Sequence, residues 1–138
     1  MRILIGIISL ALATLAAAPG AAGSVIAKAP EFAETCAKAV TEAEQEYRLP
    51  TRLLTAVSLT ESGHWHKEQQ EMIAWPWTVY AEGRGRYLPS KEAAIAEVTA
   101  LKAKGVQNID VGCMQINLYY HPDAFEDLDA ALDTEQNR

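Results

Sequence analysis

The stretch at 50–63, PTRLLTAVSLTESG, does most to fix what this chain can become. A proline at its head suits the first turn of a helix, where its missing N–H costs nothing. Leu53, Leu54 and Val57 mark an apolar face at helical spacing, and one further turn along that face comes Glu61. A carboxylate there would be partly desolvated and would face the negative end of the helix dipole, the setting of an acid that donates a proton. Ser62 and Gly63 follow, and glycine is the usual residue where a helix ends and the chain must turn. The plain alternative is a surface glutamate at a frayed helix end. The company that Glu61 keeps downstream decides between the two.

The front of the chain says where the protein goes. Arg2 is followed by an uninterrupted apolar run at 3–18, and Pro19-Gly20 breaks it before small residues. That pattern predicts a secretory signal peptide over about 1–23, with cleavage between Ala18 and Ala27. The run is short for a membrane span, and no cysteine follows it that could carry a lipid. The expectation is an exported chain without a membrane span, periplasmic in a bacterium with two membranes, folded as one domain over 30–138. Its net charge of −6 becomes −7 once Arg2 is removed, which argues against nucleic acid and against anionic lipid as partners.

Export also makes a disulfide between Cys36 and Cys113 chemically permissible. Two separate buried thiols acting as small apolar side chains are the other possibility. Phe32, Cys36, Val40, Ala43 and Tyr47 recur at three- and four-residue intervals, predicting an amphipathic helix over 31–47 with Cys36 on its inner stripe. The polar stretch at 63–72 reads as a loop. His64 and His66 suggest zinc, but no third ligand stands at a recognised spacing, so no metal is expected.

The stretch WPWTVYAEGRGRY at 75–87 predicts a hairpin, with strands at Thr78, Val79 and Tyr80 and at Tyr87 and Leu88 around a glycine-rich turn. Trp75, Trp77, Tyr80 and Tyr87 could be core, or could stack on sugar rings in a groove, with Trp77 a better groove candidate than Trp75. Ser90 fits the N-cap of another helix, Ala94, Val98 and Leu101 its inner stripe, and Gly105 its C-cap. The stretch NIDVGCMQINLYYHP at 108–122 has no clean period. Gly112 would let backbone approach closely. Gln115 and Asn117 offer amides suited either to sugar hydroxyls or to unpaired backbone groups. A short helical piece is expected around 124–132, and 133–137 looks like the opening of another helix.

Glu61-Ser62-Gly63, then WPWTV, then Gly112-Cys113-Met114-Gln115-Ile116-Asn117 resembles the soluble lytic transglycosylases of bacterial cell walls, a lysozyme-like family. The likeness runs from about Cys36 to Asn137. It implies a mainly α fold of lysozyme-like α+β type, a helical domain with one small β-hairpin. The family's third motif, an Ala-Tyr-Asn-type segment of a later helix, has no counterpart before Arg138, so the C-terminal helices are expected to be lacking. By resemblance Glu61 is the catalytic acid/base, and Met114 and Gln115 line the cleft near the scissile bond; Ser62, Trp77 and Asn117 complete the substrate-binding candidates.

Most glycosidases use two carboxylates, and this sequence marks one, with Asp110 and Asp123 as unplaced candidates for a second. The family's chemistry needs one, because the N-acetyl group of the substrate is thought to assist. The expected reaction is non-hydrolytic cleavage of the β-1,4 bond between N-acetylmuramic acid and N-acetylglucosamine in peptidoglycan. It leaves a 1,6-anhydro end and uses no metal or organic cofactor. The expected partner is the glycan strand, met by a monomer that could also serve an envelope-spanning machine. A lysozyme-type hydrolase using the same glutamate and a non-catalytic peptidoglycan-binding or assembly protein are the alternatives.

Overall fold

A computed structural model describes residues 35–138. The expected signal peptide and Phe32 lie outside the described residues. The first helix, α1 (Thr35–Glu46), buries Cys36, Ala39, Val40 and Ala43 on the stripe that its period dictates. It is followed by α2 (Leu53–Ser62), β1 (Gly63–His66), β2 (Glu71–Ala74), β3 (Thr78–Ala81), β4 (Arg84–Tyr87), α3 (Lys91–Ala103), β5 (Ile109–Val111), β6 (Ile116–Asn117) and α4 (Leu128–Ala131). The described residues, with 38% helix, 20% strand and six strands in two antiparallel sheets, form a small α+β domain. The expectation of a mainly α domain with one hairpin is thereby corrected.

The extra strands come from two stretches that look irregular as sequence. The segment read as a loop at 63–72 begins a hairpin, with His64 opposite Ile73 and Trp65 opposite Met72. Its strands are four residues each, and only Ile73 and Ala74 are buried, so too few positions alternate for a period to emerge. The aperiodic stretch after residue 108 forms a second hairpin, β5 with β6, around a loop at 112–115. Two of the loop's residues, Gly112 and Gln115, take positive φ, at 81° and 49°. The expected hairpin is present as β3 with β4, and the sheet runs β4-β3-β5-β6.

The core lies between that sheet and α3. Ala94, Val98 and Leu101 of α3 meet Val79, Ala81, Ile109 and Val111 of the sheet, and Ala131 and Leu132 close one end. The helix starts where Ser90 predicts, its side chain accepting the Ala93 N–H at 3.2 Å. A smaller cluster of Cys36, Cys113 and Ala74, flanked by Leu59 and Met114, holds α1 and α2 to the rest. Cys36 and Cys113 are joined in a disulfide.

Helix α2 ends at Ser62 with Gly63 as its C-cap, as expected, but departs from its expected form at its start and on its inner face. It begins at Leu53 instead of Pro50, after a turn in which the Leu53 N–H donates to the Pro50 carbonyl. Its N-cap residue, Arg52, is left-handed (φ 67°) and offers no side-chain cap. The cap comes from α1. The buried Glu44 carboxylate accepts the Arg52 N–H at 2.7 Å and the Thr55 N–H at 3.0 Å. The face of α2 turned inward is the hydroxyl pair Ser58 and Ser62, while Leu53 and Val57 are 45% and 37% exposed.

The Thr55 N–H above all, with the other donors around it, holds the Glu44 carboxyl below its ordinary value of 4.5. A lowered folded value means stability that is present above pH 4.5 and is lost as the pH falls through the lower, folded value. The urea midpoint of the wild type is therefore expected to drop as the pH is taken below 4.5. Glu44→Gln should start lower at neutral pH and change less over that range. Parallel pH profiles for the two proteins would contradict this.

Candidate active site

Glu61 stands in the last turn of α2, and Ser62 fastens that turn to the loop between β5 and β6. The Ser62 hydroxyl donates to the Ser58 carbonyl at 3.0 Å and to the Cys113 carbonyl at 2.8 Å. The Ser62 carbonyl in turn accepts the Trp75 N–H at 3.0 Å. From the other side the disulfide ties Cys113 to α1. Gly63 lets the chain leave the helix closely, since a Cβ there would overlap the Leu59 carbonyl oxygen. Two stretches some fifty residues apart are thus held together by one hydroxyl, and the disulfide fixes the second of them to α1.

Where they meet, Glu61, Tyr80, Asp110 and Gln115 line a depression of about 300 Å³. Its floor follows from strand alternation. Val79 and Val111 point into the core, so Tyr80 and Asp110, cross-strand partners between β3 and β5, point outward, with Asn117 beside Asp110 on β6. Glu61 is exposed and makes no hydrogen bond or ion pair among the described residues, so its carboxylate is open to a ligand. The desolvation expected from an apolar face is not supplied by α2, whose Leu53 and Val57 lie open beside it.

The other residues singled out from the sequence have different surroundings. Ser62 is fully buried and acts through Cys113, so it positions the site without lining it. Trp77 packs on the α3–sheet core and Met114 on the disulfide cluster, and neither lines the depression. Asn117 spends its amide locally. It donates to Asn108 Oδ1 at 2.5 Å and Asp110 Oδ1 at 2.7 Å, and accepts the N–H groups of Tyr119 and Tyr120. Asp123 is exposed and outside the depression. Tyr80, and not Trp77, lines the depression, and of the two aspartates it is Asp110 that shares it with Glu61.

A residue missed entirely is Asn137. Buried at 1% exposure, it accepts the Met114 N–H at 2.8 Å and donates to the Val111 and Ala131 carbonyls, both at 2.9 Å. It sits where a Cβ on residue 112 would be, which together with the positive φ explains Gly112. The stretch at 133–137 is a run of turns that delivers this amide, not the helix opening expected.

Gln115 has a double position. It lines the depression, yet its Nε2 donates to the Gly112 carbonyl at 2.9 Å and the Thr78 carbonyl at 3.2 Å. Both carbonyls also receive a backbone N–H, so truncation removes bonds without stranding either oxygen. Gln115→Ala is therefore expected to cost about 1–2 kcal/mol of stability, near twice the net worth of one neutral bond. Denaturation midpoints check this. An unchanged midpoint would show that the amide is held for a ligand instead.

His64 and His66 share one face of β1, where the His64 ring lies 4.3 Å from that of Tyr87 and 5.5 Å from Trp75, a packed aromatic group. Among the described residues no group of three or more His, Cys, Asp or Glu could hold a metal ion, and no helix is long and apolar enough to cross a membrane. A larger hollow of about 420 Å³ lies by Thr41, Glu44, Arg48 and Thr51, but its carboxylate is occupied in capping α2. Comparison with protein-family models, with curated proteins and with solved structures finds no match.

Proposed function

We propose that this chain is an exported peptidoglycan lytic transglycosylase in which Glu61 is the acid and then the base. The observation that carries the proposal is that Glu61 and Gln115, from the two stretches that resemble the family's motifs, line one depression. The depression is lined by two carboxylates, an amide and an exposed tyrosine, groups suited to the hydroxyls and ring faces of a sugar chain. Protonated Glu61 gives its proton to the glycosidic oxygen as the bond from the muramic acid anomeric carbon breaks, releasing the N-acetylglucosamine 4-hydroxyl. The N-acetyl oxygen of the same muramic acid shields the anomeric carbon, as in substrate-assisted glycosidases. The muramic acid 6-hydroxyl then attacks that carbon and its proton returns to the Glu61 carboxylate, so no water is consumed.

Hydrolysis by the same glutamate is the second reading, favoured by Asp110 in the same depression, because activating water calls for a second carboxylate. Digestion of purified peptidoglycan, with the products weighed, tests both. The proposal expects soluble fragments whose new ends are lighter by one water than reducing ends. Reducing ends would establish hydrolysis, and binding without release would make the chain a cell-wall binding or assembly protein.

A further inference from the structure

We propose that two hollows beside the free edge of β6 take the peptide stem carried by muramic acid, with Lys102 holding a carboxylate of that stem. The inference rests on the peptidoglycan reading above and adds which part of the wall the chain grips besides its glycan. The hollows, of about 310 Å³ and about 290 Å³, are both lined by Lys102 and Leu118. Their floor is apolar, because Val106, Leu118, Phe125 and Leu128 pack against the α3–sheet core and remain only partly buried. Lys102 stands exposed in the last turn of α3. Arg86, Lys91 and Arg138 are each paired with a carboxylate, whereas Lys102 makes no ion pair among the described residues.

Glu126 and Asp127 line the larger hollow with Lys102 and do not engage it. Asp127 is committed to the Ala130 N–H at the start of α4, and Glu126 is exposed. The hollow thus offers an unclaimed ammonium and an unclaimed carboxylate over an apolar floor. An uncross-linked peptide stem is their complement, with small apolar side chains, free carboxylates and the free amine of a diamino acid. The route from the depression is short. The sheet runs β4-β3-β5-β6, so β6 is an edge, and it is two residues long. Asp110 lines the depression and lies across from Asn117 at that edge, about 5 Å away. Asn117 Oδ1 accepts the Tyr119 N–H at 3.0 Å, and Tyr119 lines the smaller hollow, at most about 7 Å of chain further on. An extended peptide of about four residues spans about 13 Å, enough to leave a muramic acid in the depression and pass the edge of the sheet.

The test is an NMR titration of the purified chain with three free peptides: the uncross-linked tetrapeptide stem, the same stem with its carboxylates amidated, and an unrelated acidic tetrapeptide. The wild type is expected to bind the stem about ten-fold or more tighter than the amidated form, as a charge-assisted contact implies. Lys102→Met, at an exposed position where substitution leaves the fold intact, should bind both forms of the stem equally weakly. Lys102→Gln is the variant to use if Lys102→Met is insoluble. No binding of the stem by the wild type, an unchanged preference in Lys102→Met, or equal binding of the unrelated peptide would overturn the proposal. Cleavage is scored separately, on glycan strands stripped of their peptides. Stem binding without release of fragments upholds the hollows and removes the transglycosylase reading, while cleavage of bare strands by a chain that ignores the stem does the reverse.

Discussion

Glu61→Gln is expected to reduce release of peptidoglycan fragments by about 10²-fold or more, since on the proposed reading it removes the group that gives and takes the proton. The size of the fall comes from chemistry and not from folding. Glu61 is exposed and has no hydrogen bond or ion pair among the described residues, so an amide of the same shape leaves every recorded contact in place. Substitutions at such positions usually change stability by under about 0.5 kcal/mol. The unfolding midpoint of Glu61→Gln should therefore match the wild type, and binding of intact glycan should persist. Release within a few-fold of wild type would remove Glu61 from the chemistry.

Loss of the Cys36–Cys113 bridge is expected to have the largest effect on stability. The bridge spans 77 residues, and closing a loop of that length stabilises the fold by about 4.5 kcal/mol in the chain-entropy model. A domain of this size has roughly 5–15 kcal/mol in all, so much of its margin rests on one bond. Both sulfurs are buried, and the carbonyl of Cys113 receives the Ser62 hydroxyl. Freeing Cys113 therefore loosens the loop that carries Gln115 from the helix turn that carries Glu61. Cys36→Ala with Cys113→Ala should lower the urea midpoint steeply and weaken any activity of the fraction that still folds. An unchanged midpoint in protein shown by mass to be reduced would contradict this.

Where an element carries its own period and its own caps, the sequence was enough. Ser90 and the Ala94-Val98-Leu101 stripe define α3 without help from the rest of the chain. Its C-cap is Lys104, and the left-handed Gly105, expected as the cap, lies one residue beyond it. The valine and tyrosine run before Gly83 defines β3. The parity of that strand also holds the signal for the site. Val79 and Ala81 are apolar and face inward, so Tyr80 must face out, whereas Trp77 precedes the strand and follows no such rule. Glu61 could be placed at a helix end for the same reason.

What could not be read depends on partners distant in sequence. Glu44 caps α2 from another helix, and Asn137 satisfies backbone groups more than twenty residues upstream. Asp110 becomes part of a site only through the register of β3 with β5, which no local pattern specifies. The exposed side of α2 shows the same limit in reverse. Its spacing marks Leu53 and Val57 as apolar and regular, but the buried residues are Ser58 and Ser62, and it is the Ser62 hydroxyl that reaches the Cys113 carbonyl.

The central claim is that the new sugar end is closed by the substrate's own 6-hydroxyl after Glu61 has acted. Digestion of purified peptidoglycan in water enriched in heavy oxygen, followed by mass analysis of the released fragments, tests it most directly. The account predicts ends lighter by one water than a reducing end and free of the heavy isotope. Fragments that carry the heavy isotope at a new reducing end would contradict it.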